Sequence, residues 1–544
     1  MAMKPNQPKS KLQIRWRFWL PCLLSAGLSA LSFPPFGLWL LALYAWIPAL
    51  LWVERDRPMP RDAFLGGWMA GTLLHVIFYW WLIHTMQAMS GFPLPLAVVV
   101  HLIFAAAMGL HQGLALLLVR LTVLTKPLTL PAIFLRALGV GAIWASVEFA
   151  VPHLFPWYQG NALFTHPQLS QAADIVGIPG VTFCCLVMSS LGAQRQTFKE
   201  NKPLFWKSIG VELVFVAIWV GYGFARVAQV DAAPTEKVLK TLVVQGNATL
   251  AEKLAEGPPR FAMMERPEKL TKAENLADID LVIWPEGTLP FFWVEDPVGL
   301  ESAGKPKLPT RSPQILRDMK WRVLRMMDVI QKPLLTGTLR RPDMLWKAEA
   351  RNSALLFWPD GRIQTYDKKI LLPFGEYLPG DSYLPQLKES IPGVSHMDPG
   401  ELSGRMDVAG VKLLVNICYE ALYPAFLRAE GKDADVLVNL TNDIWFGPNP
   451  APTDHLMVQT ARPIELRRPL VRSTATGITV YVDAAGRQHE PTELNVQAVR
   501  RWQVPVKDLQ SPYRLWGDAP MWLMTLAVLA WSLWRWRLAR SKTA

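Results

Sequence analysis

The segment VKLLVNICYE, residues 411–420, joins an apolar run to a short polar sequence and decides how the second half of the chain is interpreted. Val411, Leu413, Val415 and Ile417 belong to a β-branched and aliphatic run, which predicts a buried strand. Cys418 closes that run. Because free cysteine is among the most buried residue types, its simplest interpretation is one more core residue. The rest of the sequence has to decide between a core role and a reactive one.

Composition and charge restrict the possible classes of protein. The chain has 544 residues, which is long enough for two or more folded units. It is 51% apolar and contains 24 tryptophans, which is unusual for a purely soluble protein. Residues 231–510 carry 35 Lys and Arg against 36 Asp and Glu, a net charge of −1, so the remaining residues carry the whole positive excess, +13. A nucleic-acid binder would concentrate positive charge on a folded domain, so we exclude that class.

Cysteine usage bears on both disulfides and metals. Cys22, Cys184 and Cys185 lie in long apolar stretches, and Cys418 alone lies in the polar region. That region therefore has no internal disulfide, and no Cys/His cluster in the sequence predicts a metal site.

Long uncharged runs predict a membrane domain. Residues 63–119 contain no Asp, Glu, Lys or Arg, and neither do residues 18–53. A membrane-spanning helix needs about 20 such residues, and a soluble core rarely supplies them. We predict eight spans, near residues 18–34, 37–53, 64–86, 94–119, 131–150, 173–193, 207–225 and 519–535.

Basic residues in alternate loops predict the orientation. Lys and Arg occur in the amino-terminal tail, after the second, fourth and sixth spans, and in the carboxyl tail, whereas the intervening loops have none. Basic loops stay in the cytoplasm, so both termini are predicted to be cytoplasmic. The predicted organisation is a seven-span domain at 1–230, an extracytoplasmic domain at 231–510, and an eighth span with a basic tail at 511–544.

Ionisable residues inside the predicted spans have two interpretations. Glu148 lies near the outer end of its span, where a carboxylate is either functional or paired with a neighbouring helix, and the sequence leaves both open. Four histidines have no spaced partner and are interpreted as packing or interfacial residues in preference to metal ligands. They are His75, His84, His101 and His111.

From residue 238 onward, short β-type runs alternate with turns and helical patterns, which predicts a mixed sheet flanked by helices. Three of these strands end in polar or reactive residues. Glu286 follows LVIWP, Lys368 and Lys369 follow IQTYD, and Cys418 follows VKLLVNI. Each could be a solvated or core residue when taken alone. Together they supply a base, an ammonium and a thiol, the groups needed for acyl transfer through a thioester.

Three motifs carry a family resemblance. WPEG, the string K-x-x-L-x-P-F-G-E and NICYE resemble the signatures of the nitrilase superfamily, which implies an α-β-β-α sandwich. YDKKILLPFGEYLP, LTNDIWFG and the order of the spans resemble the membrane-embedded branch of that superfamily, the apolipoprotein N-acyltransferases. The resemblance implies a base, a catalytic lysine, a nucleophile and three supporting residues. By this resemblance Glu286 matches the base, Lys368 in preference to Lys369 matches the catalytic lysine, and Cys418 matches the nucleophile. The supporting residues are Glu376, Tyr419 and Glu420.

The resemblance also implies a reaction. Cys418 takes an acyl chain from a phospholipid, typically phosphatidylethanolamine, and passes it to the amino-terminal diacylglyceryl-cysteine of a lipoprotein. This is the final step of lipoprotein maturation at the periplasmic side of the bacterial inner membrane, and it implies no cofactor and no metal. The alternatives are a membrane-tethered nitrilase or amidase acting on a small C–N substrate, and a transporter or scaffold with an inactive domain.

Two further segments bear on the substrates. The aromatic run at 289–296 contains Phe291, Phe292 and Trp293, a candidate lid at the membrane interface or an ordinary loop packed on the domain. Residues 448–455, after WFG, end in an Asp-His pair where the family usually has Gln-His, and Ala475 replaces a usual asparagine. These departures concern loop contacts and substrate preference, and the three motifs are intact.

Overall fold

The computed structural model describes residues 11–122, 129–294, 313–341, 349–381, 383 and 395–541. A helical half comes first, followed by a domain of two β-sheets and then a long helix, Ala519–Ser541. The helices of the first half are Lys11–Leu31, Leu41–Tyr44, Ile47–Arg55, Pro60–Phe78, Leu82–Ser90, Leu94–Met108, Leu110–Thr122, Leu130–Ala150, Gln159–Leu163, Pro167–Ser170, Ala173–Val176, Pro179–Thr197 and Lys202–Ala232.

The helical half exposes large apolar side chains on its outside. Ile103 and Ile218 are both 65% exposed, and Leu523 on the last helix is 69% exposed. Such a surface is typical of contact with lipid. Histidines inside the bundle bond to main-chain carbonyls, for example His75 to Gly71 and His111 to Met108, which agrees with their interpretation as packing residues.

The predicted count of eight spans is not confirmed. Within the described residues, three helices are long and apolar enough to cross a membrane: Leu94–Thr122, Leu130–Ala150 and Lys202–Ala232. Two bent pairs raise the number to five if each pair is one span. They are Pro60–Phe78 with Leu82–Ser90, bent by 58°, and Pro167–Val176 with Pro179–Thr197, bent by 118°.

The first bend has a structural consequence for the span predicted at residues 64–86. Residues two apart point away from each other on a continuous helix. The break after Phe78 instead lets the rings of Tyr79 and Trp81 approach to 5.7 Å, and each lies about 6 Å from the ring of Phe155. The break therefore gathers aromatic rings that an unbroken helix would separate.

Glu148 is buried and bonded on several sides. Its carboxylate accepts hydrogen bonds from the indole of Trp144, the main-chain N–H of Gln159 and the hydroxyl of Thr182. These bonds tie its helix to two neighbouring segments. They favour the structural alternative over the functional one.

Within the described residues, thirteen strands form the two sheets of the second half. The first sheet has the order β13-β1-β2-β4-β5-β6 with β3 beside β4, and the second has the order β12-β11-β10-β9-β8-β7. The strands are β1 Lys237–Gln245, β2 Leu281–Ile283, β3 Trp293–Val294, β4 Leu334–Arg341, β5 Arg351–Phe357, β6 Ile363–Asp367, β7 Arg405–Val408, β8 Val411–Ile417, β9 Val436–Thr441, β10 Leu470–Thr474, β11 Val480–Val482, β12 Gln488–His489 and β13 Ala498–Val506.

The sheets face each other across an apolar core in which Ile283 and Leu335 of the first sheet lie in one cluster with Val415 and Val438 of the second. Helices cover both outer faces, which confirms the predicted α-β-β-α sandwich. The helices of this half are Leu250–Leu254, Pro258–Phe261, Ala262–Lys272, Pro313–Ile330, Cys418–Leu422, Pro424–Glu430, Asp443–Phe446, Ala451–Gln459, Ala461–Leu466 and Pro512–Trp516.

A buried ion pair and a buried hydrogen bond join the two halves. Asp174 of the helical half pairs with Arg467 of the sandwich, both fully buried, and also with Arg226 at 2.6 Å. Glu465 of the sandwich accepts a hydrogen bond from the main-chain N–H of Ile178 at 3.0 Å. The sandwich is thus attached to the helices by polar contacts that exclude water.

Candidate active site

The three predicted strand ends meet in one place. Glu286 lies three residues after β2, Lys368 directly follows β6, and Cys418 directly follows β8. All three line one cavity of about 660 Å³. Its wall also includes Trp81 and Trp157 of the helical half, so the cavity lies where the sandwich meets the helices.

Cys418 is held in an unusual backbone conformation. Its φ of +49° is in the left-handed region, which non-glycine residues rarely adopt and which is concentrated at functional sites. Burial raises the pKa of the thiol to about 12, with a further contribution from Glu286, while Lys368 opposes the shift. The thiol is therefore protonated at neutral pH and needs a base before it can attack.

Glu286 has one carboxylate oxygen engaged and one open. Its Oε1 accepts a hydrogen bond of 2.7 Å from Nδ2 of Asn352, and its buried Oε2 has no hydrogen-bond partner among the described residues. Burial raises the pKa of this carboxyl, and Lys368 opposes that shift. A carboxylate with a raised pKa and an open oxygen is suited to accept a proton.

Lys368 is 1% exposed, and its Nζ lies 2.7 Å from Oε2 of Glu376. Burial by itself would lower its pKa, but Glu376, Cys418 and Glu286 raise it above the usual value. The side chain is therefore an ammonium group. Lys369, by contrast, pairs with Glu430 at 2.8 Å and does not line the cavity.

Asn352, at the start of β5, connects the two carboxylates and was not predicted. Its Nδ2 lies 2.7 Å from both Oε1 of Glu286 and Oε1 of Glu376. Glu376 also accepts from the main-chain N–H of Leu372. The amide of Asn352 thus fixes the position of Glu286 relative to Glu376, the carboxylate that pairs with Lys368. The sequence NSALLF gives only a strand pattern, so no signal there distinguishes Asn352.

Glu420 connects the segment after β6, which carries Lys368, to the segment after β8, which carries Cys418. Its carboxylate accepts from the N–H of Ile417, the N–H of Lys369 and the hydroxyl of Tyr366, at 2.7 to 2.8 Å. Tyr419 instead reaches the helical half, where its hydroxyl bonds to the carbonyl of Leu154. The two residues after Cys418 therefore hold its loop from opposite sides.

Lys253 is a second cation in the cavity wall that the sequence did not predict. Its Nζ lies 5.2 Å from the ring centroid of Trp445. Burial lowers its pKa to about 8, and Glu286 opposes this effect. Lys253 lies in a short helix whose Thr-x-x-Glu capping box predicts the helix start but says nothing about the side chain's position.

The candidate lid is mostly buried. Trp293 belongs to β3 and packs against Phe357 with ring centroids 5.0 Å apart, which favours the alternative of a segment packed on the domain for this residue. Phe291 is 7% exposed, and both it and Phe292 line the cavity. Residues 295 and 296 of the aromatic run lie outside the described residues.

The departures in sequence also lie near the cavity. Asp454 and His455 of helix Ala451–Gln459 line it, whereas Ala475 is buried outside its wall. Across the part of the chain that the structure describes, no group of three or more His, Cys, Asp or Glu side chains could hold a metal ion. The arrangement instead offers a thiol, a base and an ammonium around one largely apolar cavity.

Two family models match the chain. The model described as Apolipoprotein N-acyltransferase N-terminal domain matches residues 25–191, and the model described as Carbon-nitrogen hydrolase matches residues 226–500, half of the chain. Among solved structures, an amidase from Nesterenkonia sp. is 15% identical with a TM-score of 0.36, covering 50% of this chain and 93% of the amidase.

Curated relatives are similar over nearly the whole length. The apolipoprotein N-acyltransferase of Geobacter metallireducens is 28% identical over 521 residues, covering 93% of both chains. That of Bdellovibrio bacteriovorus is 29% identical over 529 residues, covering 92% of this chain and 90% of the relative. The chain therefore belongs to the carbon-nitrogen hydrolase family, in the branch formed by the apolipoprotein N-acyltransferases.

Proposed function

We propose that this protein is an acyltransferase that N-acylates the amino-terminal diacylglyceryl-cysteine of bacterial lipoproteins, with a phospholipid as donor and a thioester on Cys418 as intermediate. The observation that carries the proposal is the shared cavity, in which Cys418, Glu286 and Lys368 lie beside membrane-type helices. The full-length relatives named apolipoprotein N-acyltransferase support the same reaction. Phosphatidylethanolamine is the proposed donor.

In the first step the sulfur of Cys418 attacks the ester carbonyl of the donor. The thiol proton passes to the open Oε2 of Glu286, and the ammonium of Lys368 stabilises the oxyanion. The carbonyl–oxygen bond then breaks, and Glu286 returns the proton to the leaving alkoxide. The products are the thioester and a lysophospholipid, and Glu286 is ready for a second cycle.

In the second step the free amine of the acceptor attacks the thioester carbonyl. A carbon–nitrogen bond forms and the carbon–sulfur bond breaks, so the acyl chain ends as an amide. Glu286 takes the amine proton and returns it to the sulfur of Cys418. Glu376 and Asn352 hold the lysine and the base in place through both steps, and Glu420 and Tyr419 support the cysteine loop.

The proposed membrane arrangement has eight spans, both termini in the cytoplasm, and residues 231–510 as the periplasmic catalytic domain between segments 1–230 and 511–544. The alternation of basic and non-basic loops along the sequence supports this arrangement, because basic loops stay in the cytoplasm. The donor ester and the acceptor amine both reside at the outer headgroup level. A cavity shared by helices and sandwich is open to substrates held in that layer.

A second candidate is hydrolysis of a small amide or nitrile, which the same three groups could perform with water as the second nucleophile. A cavity of about 660 Å³ lined largely by apolar groups favours a long acyl chain over a small substrate. The hydrolase alternative also gives no reason for the exposed apolar helices.

Replacement of Cys418 by serine tests the proposal. A hydroxyl is far less ionised than a thiol, so Cys418→Ser should form no acyl-enzyme while retaining its fold. Intact mass spectrometry after incubation with phospholipid should detect an acyl adduct on the parent protein and none on the variant. An adduct on another residue would contradict the assignment of the nucleophile.

A further inference from the structure

A group of aromatic side chains lines the same cavity, apart from the catalytic groups. Four aromatic rings from three separate segments meet at the helix break and line the wall: Tyr79, Trp81, Phe155 and Phe446. The ring of Trp81 lies 5.1 Å from that of Phe446 and 6.0 Å from that of Phe155. We refer to these four residues as the aromatic cluster.

Asp454 lines the cavity beside this cluster. It is 5% exposed, and its Oδ1 has no hydrogen-bond partner in the described part of the chain. Burial raises the pKa of Asp454 and the indole N–H of Trp81 opposes this shift, but Nε1 of Trp81 and Oδ1 of Asp454 do not reach hydrogen-bond geometry. The hydroxyl of Tyr79 is directed instead to the carbonyl of Phe155.

The neighbouring basic side chains are already engaged in other contacts. His455 bonds to Asp443 at 3.0 Å and to Gln459 at 2.9 Å, and Arg472 pairs with the other oxygen of Asp443 at 2.9 Å. A buried carboxylate without a partner is unfavourable, and burial raises the pKa of Asp454. A bound cation would supply the missing partner.

Aromatic faces combined with a carboxylate are the chemistry that recognises an ammonium group. We propose that Asp454 and the aromatic cluster bind the primary ammonium of a lipid substrate. This inference rests on the proposed function. Two ammonium groups enter that reaction, the ethanolamine headgroup of the donor and the α-ammonium of the acceptor before it loses its proton. Neither the mechanism above nor the three motifs assign a role to these residues.

The test separates the two steps of the reaction with the isosteric variant Asp454→Asn. Thioester formation is followed in single turnover with phosphatidylethanolamine and with phosphatidylglycerol, and complete turnover is followed with a diacylglyceryl peptide. If the site holds the donor, the variant should form the thioester at least tenfold more slowly from phosphatidylethanolamine and unchanged from phosphatidylglycerol. If it holds the acceptor, both thioester rates should be unchanged and the KM for the peptide should rise at least tenfold.

Two controls keep the test decisive. Asp360→Asn changes an exposed turn carboxylate and should match the parent protein in every assay. Phe446→Leu keeps an apolar side chain but removes one ring, and should shift selectivity in the same direction as Asp454→Asn. The proposal is overturned if Asp454→Asn changes neither donor selectivity nor peptide KM, or slows both donors equally.

A binding measurement distinguishes failure of this inference from failure of the proposed function. In the Cys418→Ser background, we expect phosphatidylethanolamine or the diacylglyceryl peptide to raise the unfolding temperature more than phosphatidylglycerol does, and Asp454→Asn to abolish that difference. Equal shifts from all three lipids would overturn the ammonium site. A parent protein that forms no thioester with any phospholipid would contradict the proposed function instead.

Discussion

At the scale of single residues, two adjacent lysines have entirely different surroundings. Lys368 is buried against Glu376 at the cavity, whereas Lys369 is a quarter exposed and pairs with Glu430. Lys368→Met removes the ammonium that stabilises the oxyanion and should lower kcat by about 10²–10³-fold. Lys369→Met breaks a partly exposed pair, which contributes about 0–1 kcal/mol, and should keep most of the activity. Steady-state kinetics on both variants checks this.

The reverse result, an inactive Lys369→Met beside an active Lys368→Met, would contradict the assignment of the lysine. Both variants replace a lysine at neighbouring positions of one loop, so a general disturbance of that loop should affect them alike. The comparison therefore isolates the effect of the buried ammonium.

The residues that could be predicted from sequence share a simple signal. Glu286, Lys368 and Cys418 each follow a strand-type run in the sequence, and the three strand ends meet at the cavity. Asn352 and Lys253 carry no such signal. Asn352 is the second residue of a strand and Lys253 lies on a short helix, and only the closed tertiary structure brings them to the carboxylates and the cavity wall.

At the scale of elements, β4 must pass very close to the segment that carries the base. A Cβ added to Gly337 would lie 2.5 Å from the Cα of Glu286, closer than atoms can approach. Gly337→Ala should therefore displace Glu286 and lower kcat, since a shift of about 1 Å at a reacting group can cost about 10²-fold. Acyl transfer kinetics, together with the unfolding temperature of the purified protein, measures this.

Gly221→Ala is the matched control for the substitution Gly337→Ala. A Cβ at Gly221, in helix Lys202–Ala232, has no atom within 4 Å, so activity should equal that of the parent protein. Stability should not fall, because alanine is favoured over glycine in a helix by about 0.5–1 kcal/mol. Equal activity for Gly337→Ala and Gly221→Ala would show that the close approach does not position the base.

Predictions of the elements themselves were better for the sandwich than for the membrane half. Strand β8 agrees with its sequence pattern because a run of β-branched and aliphatic residues is a strong local signal. The break after Phe78 was missed. The sequence gives no local signal for this bend, because no proline occurs between residues 61 and 92.

At the scale of the whole molecule, the buried pair of Asp174 and Arg467 joins the two halves. Asp174→Ala leaves a buried guanidinium without its partner and should lower the free energy of unfolding by about 3–5 kcal/mol. The exposed pair of Asp360 and Arg362 provides the comparison, since Asp360→Asn changes a surface carboxylate and should leave the stability of the protein unchanged. Thermal unfolding in detergent measures both, and equal stability of the two variants would contradict the role of the buried pair.

The proposed orientation makes a prediction for intact cells. A membrane-impermeant thiol reagent applied to spheroplasts, after hydroxylamine has released any thioester, should label Cys418, which is partly accessible from the cavity. Cys22, Cys184 and Cys185 are buried and should remain unlabelled. Labelling of Cys418 that required broken membranes would place the catalytic domain in the cytoplasm and contradict the proposed topology.

The shared wall of the cavity also restricts how this protein can evolve. Trp81 on the helical side contacts Phe446 on the sandwich side, and Tyr419 bonds across the same junction to the carbonyl of Leu154. A substitution on the helical side of the cavity wall changes the surroundings of sandwich residues that lie more than 250 positions away in the sequence. The two halves are therefore expected to diversify together, and a chimera that joins the helices of one relative to the sandwich of another would inherit two half-pockets that do not match.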